Sequence, residues 1–566
     1  MKKSIIIVSA ALAACLTSCH FLDLEPGIIS KETFYKSAEE VKYGLAGVYG
    51  TLSNDATYGS IYSLAIANTD DLCYFNRPAS PSYDLQQYHY DAGNNNIYQA
   101  WTRLYAGIRN ANAFMEAVAG SEFDPDGVMY SEARFLRAFY HFLLAQAWGD
   151  VPLRDKDVTN HDGVMCAATP QLGVLTWAAS EMEACVQYLE EDVNIQPFRV
   201  TKDVAHGVLA RLYLFLAGES VKGGDKTSFF TKARDHAYAV IEGGRAALNP
   251  DYSQVFINYI TDSYDTEYHE SMWEVEFLGD RSSASYWSNG RIGESIGLQS
   301  TGSTGYDLFQ CNYAYGQYDG TLKLWDLYWA IDRTDEEKNL PAVTDARQAW
   351  NMPPYNYAGS SSQPPYGVTG SGSSRPSIDK TPYTYSGKTT TVDPMTAQGI
   401  RNCGKYRREV VYEGVKTAKM LFTTINYPLL RYADVLLMYA EAANECAEAP
   451  SREAYDCVKA VRDRAGIATL PFEAYDQASF RQLVRNERGR ELCFESLRKW
   501  DLIRWGIFVQ SMHEYGQWTA DERWVKNAKA TYAASIGSAV NERHVLLPIP
   551  SIELGVNTLL KQNPLW

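Results

Sequence analysis

The 566-residue sequence has little positive charge, no C-x-x-C pair and no long apolar run. Its 52 Lys and Arg against 68 Asp and Glu give a net charge of −16, which argues against the clustered basic surface that nucleic-acid binding needs. Without a C-x-x-C pair, neither a zinc ribbon nor a thioredoxin-type site is expected. Because no later segment has 18 consecutive apolar residues, the mature chain is predicted to contain no membrane-spanning helix.

The N-terminus carries a shorter apolar run that predicts a signal peptide. Lys2 and Lys3 precede apolar residues 5–16, a stretch too short to cross a bilayer but suited to a secretion signal. Leu-Thr-Ser then precedes Cys19, as in the lipobox of bacterial lipoproteins. We therefore predict removal of residues 1–18 and acylation of Cys19. An ordinary signal peptide with a chance cysteine is the alternative.

Apolar residues at steps of three and four predict long helices in both halves of the chain. Ser37 and Glu40 form a capping-box pattern, and Thr169 before Pro170 predicts another helix start. Successive helical hairpins predict a mostly α-helical fold with tetratricopeptide-like units, although the 34-residue signature is not found. The main predicted helices cover residues 130–148, 172–189, 201–216, 229–241, 429–448, 452–465 and 480–494.

The helical period weakens between about residues 270 and 427. Residues 270–277 alternate as a strand would. Within residues 359–374, 12 of 16 residues are Gly, Ser or Pro, which predicts a long surface loop. The order helical, irregular, helical predicts one composite domain over residues 19–566. Its helical scaffold is expected at 37–269 and 428–510, with a variable, loop-rich ligand subdomain at about 270–427.

Acidic and basic residues interleave at helical spacing in the second half. A regular series of acids is compatible with catalysis, but the arginines among them favour an ion-pair network that ties helices together, because pairing allows charges to be buried. Cys185, Cys446 and Cys493 lie in apolar-periodic segments and are predicted to be packed core thiols. The charged residues in question are Arg431, Asp434, Glu441, Glu487, Arg488, Arg490, Glu491, Glu495 and Arg498.

Several blocks resemble the SusD/RagB family of nutrient-binding outer-membrane lipoproteins. The blocks are FLD at 21–23, EARFLRA at 132–138, WGDVPL at 148–153, PLLRYADVLLMYAEA at 428–442, VRDRAG at 461–466, ERGRELCFE at 487–495, DLIRWG at 501–506 and QNPLW at 562–566. This resemblance implies a SusD-like helical fold with four tetratricopeptide-like units and a loop-rich subdomain. It also implies a non-catalytic protein on the exterior face of the outer membrane, acting as a lid on a SusC-like TonB-dependent transporter.

Sugar recognition needs aromatic faces for C–H surfaces and fixed polar groups for hydroxyls. Two regions offer both, and packing under loops or transporter contact is the alternative for the second. In the first, where the resemblance places ligand contacts, the candidates are Asp71, Arg77, Tyr83, Tyr88, Tyr90 and Asn94. In the second, they are Tyr286, Trp287, Asn289, Tyr306, Tyr313, Trp325 and Trp329, with Tyr315 and Tyr328 close by in sequence.

Apparent catalytic motifs lack their structural context. The G-x-S-x-G pattern at 293–297 has no strong strand before it and no helical run after it. A near phosphate loop at 399–405 continues with Tyr406 in place of Ser or Thr, and His269-Glu270 lacks the second histidine of a zinc protease. No catalytic residue, metal or cofactor is therefore predicted, and a structural calcium ion is left open.

The function expected is a lipid-anchored protein that captures an oligosaccharide or polysaccharide and delivers it to a SusC-like transporter. A peptide-binding or protein-interaction scaffold that uses the tetratricopeptide-like face is the first alternative. An anchored glycoside hydrolase is the second.

Overall fold

The computed structural model describes residues 34–74, 84–158, 165–191, 197–279, 290–298, 313–328, 345–353, 401–408, 422–518 and 528–566, with three short strands between 376 and 389. Its first part is mainly helical. The elements are α1 (Ala38–Tyr49), β1 (Leu72–Tyr74), α2 (Asn95–Val118), α3 (Val128–Trp148), α4 (Gln171–Cys185), α5 (Lys202–Ala217), α6 (Lys226–Gly243) and α7 (Tyr252–Thr261). A π-helical segment, Ile61–Ile66, follows α1.

The middle part holds short elements, and the C-terminal part returns to helices. The middle elements are β2 (Ser271–Val275), α8 (Ile292–Ser295), β3 (Tyr318–Gly320), α9 (Leu322–Tyr328), α10 (Ala346–Asn351), β4 (Pro376–Ser377), β5 (Thr384–Tyr385), β6 (Lys388–Thr389) and β7 (Tyr427–Arg431). The helices that follow are α11 (Tyr432–Glu445), α12 (Arg452–Arg464), α13 (Gln477–Glu491), α14 (Arg498–Arg504), α15 (Phe508–Trp518), α16 (Ala528–Ala539) and α17 (Ser551–Val556).

Neighbouring helices pack in sequence order: α2 on α3, α3 on α4, α5 on α6 and α11 on α12. Helix α6 also packs on α11, which joins the two helical parts of the chain. The large apolar core includes fully buried Trp101, Trp148 and Trp273. The prediction of a mostly α-helical fold is thus confirmed.

At two helix starts, the observed capping differs from the predicted capping. The Ser37 hydroxyl accepts from the Glu40 backbone N–H at 3.2 Å, but the Glu40 carboxylate accepts from Lys36 N at 2.7 Å, one residue earlier than a capping box requires. Pro170, and not Thr169, occupies the N-cap position of α4. Because proline has no side-chain acceptor, Asp150 supplies it and accepts from the Gln171 N–H at 2.8 Å.

The expected helix over 429–448 is wrong at its start, because residues 427–431 form strand β7. This strand pairs antiparallel with β2, with Ser271 opposite Arg431 and Val275 opposite Tyr427. A short apolar run fits a buried strand and a helix equally well, so the distant partner strand decides. The predicted strand at 270–277 is confirmed as β2.

The predicted ion-pair network is present and buried. Arg431, whose side chain is 0% exposed, contacts Glu270 at 2.9 Å, Glu491 at 3.0 Å and Glu495 at 2.8 Å. Despite burial, the charges of Arg464 and Arg431 hold the pKa of Glu491 well below its usual range. The network therefore joins α13 to β7, α12 and the segment before β2, which is a structural role.

Two of the three predicted core thiols are confirmed. Cys185 and Cys493 are buried free thiols, whereas Cys446 is half-exposed and lies 3.7 Å from the Thr231 hydroxyl. Among the described residues, no helix has the length and hydropathy needed to span a bilayer.

Candidate ligand-binding surface

Two tyrosines on the segment before β3 lie side by side and are partly exposed. The ring centroids of Tyr313 and Tyr315 are 4.9 Å apart, and the ring planes meet at 83° in an edge-to-face arrangement. A tyrosine ring combines an apolar face with a polar hydroxyl. The pair therefore offers both apolar surface and polar groups to a ligand.

Backbone contacts from several segments hold this pair in place. The Tyr315 N–H donates to the carbonyl of Glu294 in α8 at 2.8 Å, and Arg408 Nη1 donates to the carbonyl of Tyr313 at 2.6 Å. Immediately downstream, β3 pairs antiparallel with β1, and Asp319 forms a β-bridge to Asn402. The tyrosines thus stand on backbone supported by parts of the chain that are far apart in sequence.

A charged group lies close to Tyr315. Arg291, 41% exposed, forms a two-pronged ion pair with the buried Glu294, at 2.9 and 3.4 Å. Burial lowers the pKa of Arg291, but the hydrogen bond and charge of Glu294, with smaller contributions from Asp55 and Tyr315, raise it overall. Burial raises the pKa of Asp55 from its ordinary value. We call Tyr313, Tyr315 and Arg291 the tyrosine surface; Glu294 is buried behind it and holds Arg291 in place.

The tyrosine surface supplies the two kinds of contact that a sugar requires. Ring faces pack against C–H groups, and charged or hydroxyl groups accept and donate hydrogen bonds to sugar hydroxyls. Of its three residues, the sequence predicts Tyr313 and Tyr315 as ligand candidates. Arg291 is not predicted, because its position is set by the contact with Glu294 in α8 and no sequence motif includes it.

Two aromatic residues predicted to face a ligand are instead core residues. Tyr88 is 2% exposed and donates its hydroxyl to the Asn68 carbonyl. Tyr90 is 3% exposed, and its ring stacks on the C-terminal Trp566 at 5.2 Å and 22°. The ligand prediction for both side chains is wrong in this conformation, because their faces are covered by the protein itself.

The same correction applies to Trp325, which is 4% exposed on α9. Tyr328, on the same helix, is 1% exposed and donates its hydroxyl to the Arg490 carbonyl at 2.5 Å. Asn94 is half-buried and caps α2, accepting from the N–H groups of Asn96 and Ile97 at 3.0 and 3.2 Å. Its side-chain oxygen is therefore committed to the helix end, which leaves only its amide nitrogen for a ligand.

Asp71 is buried, but it lines a cavity. The Phe494 N–H donates to Asp71 Oδ2 at 3.1 Å, and burial, followed by the charge of Asp70, raises the pKa of Asp71 to about 7. Although burial also acts on Asp70, Arg498 and Lys323 hold the pKa of Asp70 well below its usual range. Both aspartates line a cavity of about 340 Å³.

The remaining predicted residues lie outside the described residues and stay predictions. They are the ligand candidates Arg77, Tyr83, Tyr286, Trp287, Asn289, Tyr306 and Trp329, and the acylation site Cys19. A second concavity of about 380 Å³ lies against α2 and α17 and contains none of the predicted ligand residues. In the described ranges, no group of three or more His, Cys, Asp or Glu is arranged to hold a metal ion.

Comparison with known proteins places the chain in a family. Residues 269–566 match the model described as "SusD family", and residues 20–214 match the model described as "Starch-binding associating with outer membrane". Because the first match alone spans more than half of the chain, the protein belongs to the SusD family. The resemblance found in the sequence is thereby confirmed.

Individual relatives match over nearly the whole length. A SusD-like protein, P25, from Formosa agariphila is 24% identical over 99% of this chain and 98% of its own. The crystal structure of a SusD homologue from Bacteroides thetaiotaomicron is 25% identical, with a TM-score of 0.80 over 95% of this chain and 98% of that one. A laminarin-binding SusD-like protein, 17% identical, has the same fold, with a TM-score of 0.67 over 94% of this chain and 100% of that one.

Proposed function

We propose that this protein binds a glycan without altering it, and that the tyrosine surface contacts the sugar. The observation that carries the proposal is the partly exposed Tyr313–Tyr315 pair beside the Arg291–Glu294 ion pair. Membership of the SusD family supports it, as does the fold shared with a protein named for laminarin binding. Affinity should be modest, because ring stacking and a few hydrogen bonds must exceed the cost of ordering the sugar.

We further propose that the chain works on the outside of the outer membrane, anchored by acyl groups on Cys19, and passes its ligand to a SusC-like TonB-dependent transporter. Both ideas rest on the lipobox-like sequence before Cys19 and on the family. Replacing Cys19 by Ala should abolish incorporation of labelled palmitate, because the acylated thiol is lost. Incorporation at the parent level in Cys19→Ala would contradict the lipid anchor.

The test of glycan binding is affinity gel electrophoresis of the soluble form that begins after Cys19, across a panel of neutral and acidic polysaccharides. The double variant Tyr313→Ala/Tyr315→Ala should weaken binding of the retained glycan about tenfold or more, since both ring contacts are lost. Tyr188→Ala is the matched control, because Tyr188 is 48% exposed and lies elsewhere. Equal weakening in both variants, or none in either, would contradict the assignment.

The same incubations separate a binding protein from a hydrolase. A binding protein leaves the polysaccharide intact, so no new reducing ends should form over hours at micromolar protein. Steady release of reducing ends by the purified protein would support the anchored hydrolase instead.

A further inference from the structure

The cavity that contains Asp70 and Asp71 is built from the faces of three helices. Gln482, Arg485, Asn486 and Gly489 lie on α13 at steps of three, one and three, so they form one helical stripe along the cavity wall. Helices α9 and α15 supply other walls, and Trp505 lies between α14 and α15. Exposed Gln482 and Gln510 place part of the lining at the protein surface.

Arg485 is a guanidinium with no carboxylate partner among the described residues. It lies over the Trp505 ring, 4.8 Å from the centroid, and its buried Nε has no hydrogen-bond acceptor in the part of the chain that the structure describes. The nearby acids are already paired: Glu441 with Arg504, and Glu445 with Arg481 at 2.6 Å. A half-buried cation without a partner in a chain of net charge −16 calls for an explanation.

The acids that face the cavity are also engaged. Asp70 is held by Arg498 at 2.8 Å, by Lys323 at 3.1 Å and by the Ser511 hydroxyl at 2.8 Å. Asp71 accepts from the Phe494 backbone, and the exposed Glu514 accepts from Gln510 at 2.8 Å and faces Lys323 at 3.5 Å. Arg485 is therefore the positive group of this lining that keeps its charge available to a ligand.

We propose that this cavity binds a sugar residue that carries a carboxylate, a uronic acid, with Arg485 as the partner of that carboxylate. A guanidinium forms two parallel, charge-assisted hydrogen bonds to a carboxylate. The inference rests on the proposed function for the sugar class of the ligand, but its site shares no residue with the tyrosine surface.

The rest of the lining fits the non-ionic part of such a residue. Gln482 donates to Asn486 at 2.8 Å, which uses one group of each amide and leaves one carbonyl and one amino group for sugar hydroxyls. Trp505 and Ile507 provide apolar wall for C–H groups. A volume of about 340 Å³ lies within the range of small-ligand sites and suits one or two sugar rings.

The test compares acidic oligosaccharides with their methyl esters, which keep the hydroxyls and lose the charge. Isothermal titration at pH 7 uses two pairs, trigalacturonic acid and a glucuronic acid oligosaccharide, each with its ester. The soluble form should bind at least one acid about tenfold or more tightly than its ester. Arg485→Gln should abolish that difference, and Arg481→Gln, one turn away and paired with Glu445, should keep it.

A second variant guards against a folding defect. Asn486→Asp keeps Arg485 and places a competing carboxylate one residue away, so it should also remove the preference for the acid while the melting temperature stays near that of the parent. Equal binding of acid and ester for both pairs, or an acid preference that survives in Arg485→Gln, would overturn the inference.

The two proposals fail separately. If Tyr313→Ala/Tyr315→Ala loses neutral-glycan binding while acid and ester bind the parent equally, only the inference about the cavity falls. If the acid preference depends on Arg485 but Tyr313 and Tyr315 contribute nothing to any glycan, the tyrosine surface is wrong and the cavity stands.

Discussion

Two arginines on helix α13, Arg485 and Arg488, are one turn apart but differ in burial and in carboxylate partners. Arg488 is 2% exposed and contacts both Asp434 and Asp501 at 2.7 Å. Arg485 lies over Trp505 and has no carboxylate partner in the described part of the chain. Residue type and helical spacing therefore do not distinguish a structural charge from one that is available to a ligand. The two arginines differ in whether a neighbouring helix places a carboxylate against them.

The energetic consequence follows from burial. Removing one member of a buried ion pair leaves an uncompensated charge and costs about 3–5 kcal/mol. A half-buried cation held by an aromatic ring contributes about 0.5–1 kcal/mol. The buried ion pairs of the helical frame should therefore be sensitive to charge removal, whereas removal of the Arg485 charge should cost little.

The largest expected effect comes from breaking the frame itself. Arg488→Gln takes one arginine partner from each of two buried carboxylates, and leaves Asp434 with Arg211 and Asp501 with Arg504. We therefore expect the free energy of unfolding to fall by about 3 kcal/mol, the lower end of the cost of breaking a buried ion pair, measured by urea denaturation. Arg485→Gln on the same helix is the matched control and should cost less than about 1 kcal/mol. Similar losses for the two variants would mean that Arg485 belongs to the frame after all.

A second comparison sets buried tyrosines against exposed ones. Tyr90→Ala should cost about 3 kcal/mol, because it removes a ring packed against Trp566 and leaves a cavity. Tyr313→Ala should change stability by less than about 1 kcal/mol but weaken glycan binding. Thermal melts and affinity gels on both variants provide the check. A stable Tyr90→Ala protein with lost binding would restore Tyr90 as a ligand residue.

Some features of the fold could be predicted from local sequence patterns. The ion-pair network was predictable because Glu487, Glu491 and Glu495 recur every four residues with arginines between them, and pairing allows such charges to be buried. Helix boundaries held where a capping side chain is local, as at Thr201, which caps α5. Both signals lie within a short stretch of the sequence.

Burial of Tyr88 and Tyr90 could not be predicted in the same way. Tyr90 is covered by Trp566, the last residue of the chain, and the residues around Tyr90 in the sequence do not predict so distant a contact. Both are predicted ligand residues because sugar recognition needs aromatic faces, yet the faces of both rings are covered by the protein itself. Arg485 could not be singled out for a related reason. Whether an arginine has a carboxylate partner depends on the residues of the helices packed against it, which its own sequence neighbours do not show.

The third prediction concerns Asp70 and Asp71, neighbours with opposite environments. Asp70→Asn removes the paired carboxylate of Arg498 and leaves Lys323 with Glu514 at 3.5 Å. We therefore expect the free energy of unfolding at pH 7 to fall by about 2 kcal/mol in urea denaturation. Asp71→Asn removes a group with one backbone donor and should change stability less at pH 5. A larger loss for Asp71→Asn would reverse the assignment of the two carboxyls.

A fourth comparison concerns how the two aspartates respond to pH. The pKa of Asp71 is raised to about 7, above its ordinary value of 3.8, so its folded form holds a proton that the unfolded chain has released. Its contribution to stability is present below about pH 4 and is lost as the pH rises through 7. The parent protein should therefore lose stability relative to Asp71→Asn between pH 5 and pH 8. For Asp70, whose pKa is lowered, the sign is opposite, and its contribution is lost only in acid. Parallel pH profiles for the parent and Asp71→Asn would show that Asp71 is ionised in the folded protein, and the cavity would then carry one more negative charge facing Arg485.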